Sequence, residues 1–246
     1  MIEIGCCGWN YFNASLHFGS NWKEKFKSKL QAYATIFTTV EVNSTFYKLP
    51  SIKTAEKWRE ESIAVNSNFE FTLKVPQIIT HKDKFATKSS IEAFDSIKQI
   101  AYALEAKILL FQTPASFKPT ENNLSKVKKF FEKIDREKFI VVWEVRWQNE
   151  WKRDIVECLF KELEIEQCVD PLRQECFFCK NLYYYRLHGF GKPMYNYKFS
   201  AKELEKLASM VKDKNADVYI FFNNSNCYDD AIRFAKMIKD NVKITQ

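Results

Sequence analysis

The sequence predicts an α/β fold, a single (β/α)8 barrel of the TIM type, and three observations carry that prediction. The chain has 246 residues, and eight strand–helix units take about 250. Short apolar, β-branched or aromatic runs alternate with longer amphipathic stretches along its whole length. Neither a G-x-G-x-x-G after the first run nor a P-loop is present, which weighs against an open doubly wound sheet. With only 5 Gly and 6 Pro there is no flexible linker to divide the chain, so one domain over residues 1–246 is expected.

The strand-like runs cover residues 2–7, 38–42, 69–73, 108–111, 140–143, 167–169, 183–187 and 218–222. An all-apolar run such as Ile108-Leu109-Leu110-Phe111 suits a parallel sheet covered on both faces. Helical patterns lie between the runs. One covers 22–34. Ser51 precedes a second over 52–61, with Ala55 and Trp58 on one face. Others fit 91–106, 124–134 and 155–163. Ser200-Ala201-Lys202-Glu203 reads as a capping box opening a helix to about residue 212. Asn226 or Asp229 caps a last helix carrying Ile232, Ala235 and Ile238 at helical spacing. Residues 170–182 hold a turn or a short helix only, so the helix between strands 6 and 7 is short or missing.

Charge is mildly basic, 38 Lys+Arg against 31 Asp+Glu, a net +7. That permits an anionic partner, nucleic acid or a phosphorylated metabolite, and equally suits lysine-rich solvated helix faces such as Lys126, Lys128, Lys129 and Lys133. No apolar run approaches a membrane span, so no membrane partner is expected. The sequence opens on a strand-like run rather than a basic, then apolar leader, and its seven cysteines are an odd number. Both lead to the expectation of a cytoplasmic protein with reduced thiols. Cys176-Phe177-Phe178-Cys179 is a single C-x2-C, and a structural zinc site usually takes two. It is read as a pair of structural thiols, as are Cys6 and Cys7.

Polar residues concentrate at the ends of the strands, where a barrel places its active-site mouth. They are Trp9, Glu41, Asn43, Lys74, Gln112, Glu144, Arg146, Asp170, Arg186, His188, Asn223 and Asn224. A strand has period two, so Glu41/Asn43, Glu144/Arg146 and Arg186/His188 are same-face pairs. Buried charges need partners or a ligand. Two readings follow, either a functional site or a self-satisfied plug in which Glu41, Glu144 and Asp170 are neutralised by Lys74, Arg146 and Arg186.

These strand ends resemble the DUF72 (YecE-like) family. Val40-Glu41-Val42-Asn43-Ser44-Thr45-Phe46-Tyr47 is similar to its VEINSTFY segment. Phe71-Thr72-Leu73-Lys74-Val75-Pro76 with Ile79-Thr80-His81 resembles F-x-x-K-x-P…I-T-H, and Leu109-Leu110-Phe111-Gln112-Thr113-Pro114 with Ser116-Phe117 resembles its LxFQLPPSF stretch. Glu144-Val145-Arg146, Tyr185-Arg186-Leu187-His188-Gly189 and Phe222-Asn223-Asn224 are similar to E-F-R-H, YxRLHG and YFNN. Trp147 departs from the His of that segment, and Cys6-Cys7-Gly8-Trp9 from a small-residue opening. The resemblance implies a TIM-type barrel and carries no established reaction.

Glu41, Lys74, Glu144 and His188 are the candidate catalytic residues: the Glu residues as bases, His188 as acid or base, and Lys74 as electrostatic stabiliser, Schiff-base amine or ion-pair partner of Glu41. Trp9, Asn43, Tyr47, Gln112, Arg146, Asp170, Arg186, Tyr195, Asn223 and Asn224 are the candidate substrate-binding residues, with turn and capping roles the alternative for the Asn pair. Tyr11, Phe46, Trp147, Trp151 and Tyr197 add aromatics to the mouth, Phe46 and Trp151 read as rim packing. Glu41, Glu144, Asp170 and His188 offer donors for a single divalent metal, but no ligand set is assigned; three histidines are too few for a trinuclear zinc site. No nucleotide-cofactor motif is present. The expected function is an enzyme acting on an anionic, phosphate-containing small molecule or nucleotide by acid–base or metal-assisted hydrolase or lyase chemistry. The alternatives are a nucleic-acid-binding or processing protein on a barrel of the endonuclease IV/xylose isomerase type, and a non-catalytic binding module.

Overall fold

A computed structural model of the chain describes residues 1–146, 150–212 and 214–243. Eight parallel strands close into a barrel in sequence order: β1 (Ile2–Cys6), β2 (Thr39–Val42), β3 (Glu70–Lys74), β4 (Ile108–Gln112), β5 (Ile140–Glu144), β6 (Glu166–Val169), β7 (Leu182–Leu187) and β8 (Asp217–Phe222). Closure is made by β1 on β8, with Ile2 opposite Val218 and Cys6 opposite Phe222. Around it run α1 (Ala14–Phe18), α2 (Trp22–Lys25), α3 (Lys29–Ala34), α4 (Ile52–Ile63), α5 (Lys88–Ala103), α6 (Glu121–Lys133), α7 (Arg153–Glu162), α8 (Ala201–Lys212) and α9 (Cys227–Lys243). This is the TIM-type barrel that the alternation of runs predicts. No helix among the described residues is long and apolar enough to cross a membrane.

Local chemistry explains most element boundaries. Ser51 Oγ accepts from Thr54 N and starts α4. The capping box forms at α8, where Glu203 N donates to Ser200 Oγ and Ser200 N to Glu203 Oε2. The single helix expected over 22–34 is instead broken into α2 and α3. Phe26 turns extended and Ser28 caps a new helix by accepting from Gln31 N, a side-chain alternative that competes with helix continuation. No helix separates β6 from β7: of the turn or short helix that the spacing allows, the chain takes a turn. Gln167 Oε1 accepts from Phe177 N and Phe178 N, and Glu166 accepts from Lys180 N and Asn181 N. These four bonds hold the helix-free connection against the barrel.

The strand pleat sorts side chains into two layers. Residues such as Phe71, Phe111 and Trp143 face the helices in the larger core. Ile108, Leu110, Val142, Cys168, Tyr184 and Phe221 fill the barrel lumen and form an apolar floor beneath the polar strand ends. Close approach of β1 to β2 depends on Gly5. A Cβ there would lie 2.1 Å from the Thr39 carbonyl oxygen, where the Tyr33 hydroxyl already bridges Cys6 N and Thr39 O. Gly5→Ala is therefore expected to cost about 2 kcal/mol or more. The measurement is the urea midpoint, and an unchanged midpoint would show that β1 shifts at no cost.

Candidate active site at the barrel mouth

A cavity of about 940 Å³ opens at the C-terminal end of the strands. Its base is charged. Arg186, on β7, is 1% exposed and lies across the lumen. Its Nε and Nη2 donate to both oxygens of Glu41 on β2, at 3.0 and 2.9 Å, the bidentate geometry a guanidinium favours. Its Nη1 donates to Glu144 Oε2 on β5. Glu41 is itself fully buried and accepts a further bond from the Tyr184 hydroxyl at 2.9 Å. Arg146 completes the row, with Nε on Glu144 Oε1 at 2.9 Å and Nη2 on the Tyr195 hydroxyl at 3.0 Å. His188 stands beside it, 3.5 Å from Arg146 Nη2 and 3.7 Å from Glu144.

Asp170 is not part of this charge balance. Its carboxylate accepts from His188 N and Leu172 N and lies 3.6 Å from Arg173 Nε. Arg173, on the loop after β6, supplies a cation that the strand-end pattern does not reveal. The three-against-three pairing open to the plug reading is therefore not the pairing in the fold. Glu41 and Glu144 are shared by Arg186 and Arg146, Asp170 sits with Arg173, and the ion pair between Lys74 and Glu41 is absent.

Lys74 is the cation left over. It is 8% exposed on β3, and its ammonium donates to the amide oxygen of Gln112 at 2.9 Å and stands 4.1 Å over the ring of Phe46. No described carboxylate lies within salt-bridge distance of it. Burial, reinforced by the Arg186 guanidinium and only partly countered by Glu144 and Glu41, lowers its pKa to about 8. Burial alone would push the Glu144 carboxyl up, but Arg186 and Arg146 hold it well below the usual carboxylate range. His81 shares the mouth, edge-on to Phe46 at 4.8 Å with Nδ1 bonded to the Thr80 hydroxyl. Burial and the nearby Lys74 charge lower its pKa to about 4, so its imidazole is neutral at pH 7.

Of the candidate residues, Asn43, Tyr47, Lys74, Gln112, Arg146, Arg186, Tyr195, Asn223 and Asn224 line the cavity. Glu41, Glu144, His188 and Asp170 are buried behind this lining. Trp9 is elsewhere, packed edge-on against Trp58 and Phe71 in the layer between barrel and helices. Asn224 clamps the first turn of α9 to the loop after β7, through Tyr197 O and Asp230. Trp151 is packing, stacked on Phe117, whereas Phe46, read as rim packing, carries the Lys74 ammonium. The Tyr197 hydroxyl is taken by Glu203. Trp147 lies outside the described residues. The strand-end pattern does not reveal His81 as a site residue, because it sits on a short helical turn after β3.

No group of three or more His, Cys, Asp or Glu suited to a metal occurs among the described residues. Of the four donors that the sequence offers, Glu41, Glu144 and Asp170 are committed to guanidiniums, a tyrosine hydroxyl and backbone N–H groups, which leaves the His188 ring as a single donor and no ligand set. The C-x2-C thiols donate to the carbonyls of Phe178 and Leu182, and burial pushes them up to about 12 and about 11. Unreactive structural thiols match that chemistry.

A family model described as "Protein of unknown function DUF72" matches residues 3–246. The UPF0759 protein YunF of Bacillus subtilis is 29% identical over 131 residues, which take in 51% of this chain and 44% of that protein. The match thus spans less than half of the curated relative's own length. A DUF72 family protein of Thermotoga maritima has a TM-score of 0.73 at 24% identity, covering 97% of this chain and 99% of the other. Endonuclease IV of Thermus thermophilus has a TM-score of 0.56 at 11% identity, covering 98% of both chains. Likeness at these identities concerns the fold alone.

Proposed function

The chain belongs to the DUF72 family, and from the charge balance of its barrel mouth we propose an enzyme that binds a small phosphate-bearing molecule there. One observation carries this reading: Lys74, Arg146 and Arg186 face two carboxylates, Glu41 and Glu144, so the base of the cavity holds an unneutralised cation. Keeping a buried ammonium without a carboxylate is costly, and an anionic ligand is the group that relieves the cost. Glu41 and Glu144 act here as positioning residues that hold Arg186 and Arg146 rather than as bases. Proton transfer falls to Lys74 and the neutral His81. Reactions of the lyase or hydrolase class suit such a pair.

The test is calorimetric titration of inorganic phosphate at pH 8.5 in two buffers of different ionisation enthalpy. An anion beside Lys74 raises its pKa from about 8, so binding is expected to take up about half a proton or more. Binding without proton uptake would place the anion away from Lys74, and no binding would remove the reading.

Exposed Tyr11 and Tyr47 at the rim favour a second reading, nucleic acid laid across the mouth with bases stacked on these rings. The likeness to endonuclease IV is compatible with it. A basic rim contact would show as binding of a short oligonucleotide that weakens steeply with salt.

A further inference from the structure

We propose that Lys74 is a covalent catalyst, forming an imine with the carbonyl group of an aldehyde or ketone that bears a phosphate. This rests on the anion-binding reading above and names the substrate class of the same site. A lysine held for charge alone is normally met by a carboxylate. Here the carboxylate on the neighbouring strand, Glu41, stands opposite Thr72, two positions before Lys74, and is taken at both oxygens by Arg186. Lys74 is left with a neutral amide oxygen and an aromatic face, in a lining that also contains two guanidiniums. Desolvation and neighbouring cations are the conditions that free an amine for nucleophilic attack. The lowered pKa agrees with that geometry: about 8 leaves roughly a quarter of the amine unprotonated at pH 7.5, where an ordinary lysine is almost wholly protonated.

The chemistry balances without a further reagent. The amine nitrogen attacks the carbonyl carbon, and a proton passes from nitrogen to the carbonyl oxygen to give a carbinolamine. The C–O bond then breaks, water leaves, and a C=N bond forms. Protonated, this iminium keeps the positive charge of the site and draws electrons from an adjacent C–H or C–C bond, the step of isomerases and lyases. Water later hydrolyses the C=N bond and restores the amine. His81, neutral and against the same Phe46 ring, is placed to carry the protons between nitrogen and oxygen. Arg146, partly exposed in the lining, is the guanidinium open to the phosphate.

The probe is glycolaldehyde phosphate with sodium cyanoborohydride, which reduces an imine to a stable secondary amine. Adducts are located by peptide mass spectrometry. At pH 7.5 Lys74 is expected to be labelled at least about tenfold faster than the exposed lysines. At probe concentrations well below saturation, its rate is expected to rise with pH around a midpoint near 8, the value of the free site, set by Lys74 within the field of Arg186, Arg146, Glu144, Glu41 and His81. Inorganic phosphate is expected to slow labelling of Lys74 and of no surface lysine, and unphosphorylated glycolaldehyde to react more slowly. Lys74→Arg keeps the charge and is expected to give no adduct in that peptide. Labelling of Lys74 no faster than the surface, in protein that phosphate still stabilises against heat, overturns the imine and leaves the anion site standing. Fast labelling of Lys74 that phosphate neither slows nor accompanies with stabilisation keeps the reactive amine and overturns the phosphate-binding reading.

Discussion

Replacing Arg186 by Met is expected to destabilise the protein by about 3–5 kcal/mol, the cost of stranding buried carboxylates whose partner is removed. Arg186 is 1% exposed and Glu41 is fully buried. Glu144 keeps Arg146, but Glu41 keeps only neutral partners, the Tyr184 hydroxyl and the Cys7 thiol. Loss of charge on both sides is a different matter. Glu41→Gln with Arg186→Met removes the stranded anion, and is expected to recover a large part of the loss, because replacing both members of a buried pair is often near neutral. The pH dependence has a definite sign. The folded Glu144 carboxyl is held below its unfolded value, so its pairing contributes stability above about pH 4 and loses it as pH falls through the lower folded value. The gap between wild type and Arg186→Met is therefore full near pH 7 and narrows below about pH 4, toward pH 3, as the stabilisation that Arg186 gives the Glu144 carboxylate is lost. Urea titrations at both values measure it. An equal gap at pH 7 and pH 3, or no recovery in the double variant, would mean that the guanidinium acts by packing and not by charge.

Most of this architecture is legible in the sequence, because it rests on local periodicity. The apolar run Ile108–Phe111 of β4, the capping box at Ser200 and the short spacing between β6 and β7 are local signals, and the fold follows each of them. Strand parity likewise identifies Glu41, Lys74, Glu144 and Arg186 as facing the lumen. Parity is silent on which of them meet. Glu41 and Arg186 lie 145 positions apart and touch across the lumen, a contact set by the barrel's stagger, which no single strand encodes. Arg173 and His81 come from loops after strands, where periodicity gives no signal, and they change the charge balance and the proton-carrying chemistry respectively. Trp9 shows the reverse error. Its position at the end of β1 suggests the mouth, but the chain turns at Gly8, with φ of +109°, and delivers the indole to Trp58 instead.

Lys74→Met is expected to abolish phosphate binding while making the protein more stable at pH 7. The folded site disfavours the charged ammonium: the shift from 10.5 to about 8 corresponds to about 3 kcal/mol of cost in the protonated state. That cost is present in full below pH 8, where both folded and unfolded chains hold the proton. Between about pH 8 and 10.5 the folded amine has released its proton while the unfolded chain still binds one, so wild type gains stability as pH rises and the cost fades. Met fills the same stem volume with no charge, but it leaves the Gln112 amide oxygen without its donor and forfeits the contact with Phe46, offsetting about 1–2 kcal/mol. The net gain is thus about 1–2 kcal/mol at pH 7 and approaches zero or reverses at pH 10. Urea midpoints at the two values, with a thermal-shift titration of phosphate, separate the possible roles. A lysine kept for structure loses stability on substitution at both pH values. A lysine kept for chemistry is dispensable to the fold and indispensable to the ligand: Gln112 and Phe46 offset the cost of burying it only in part, and a bound anion would offset the remainder.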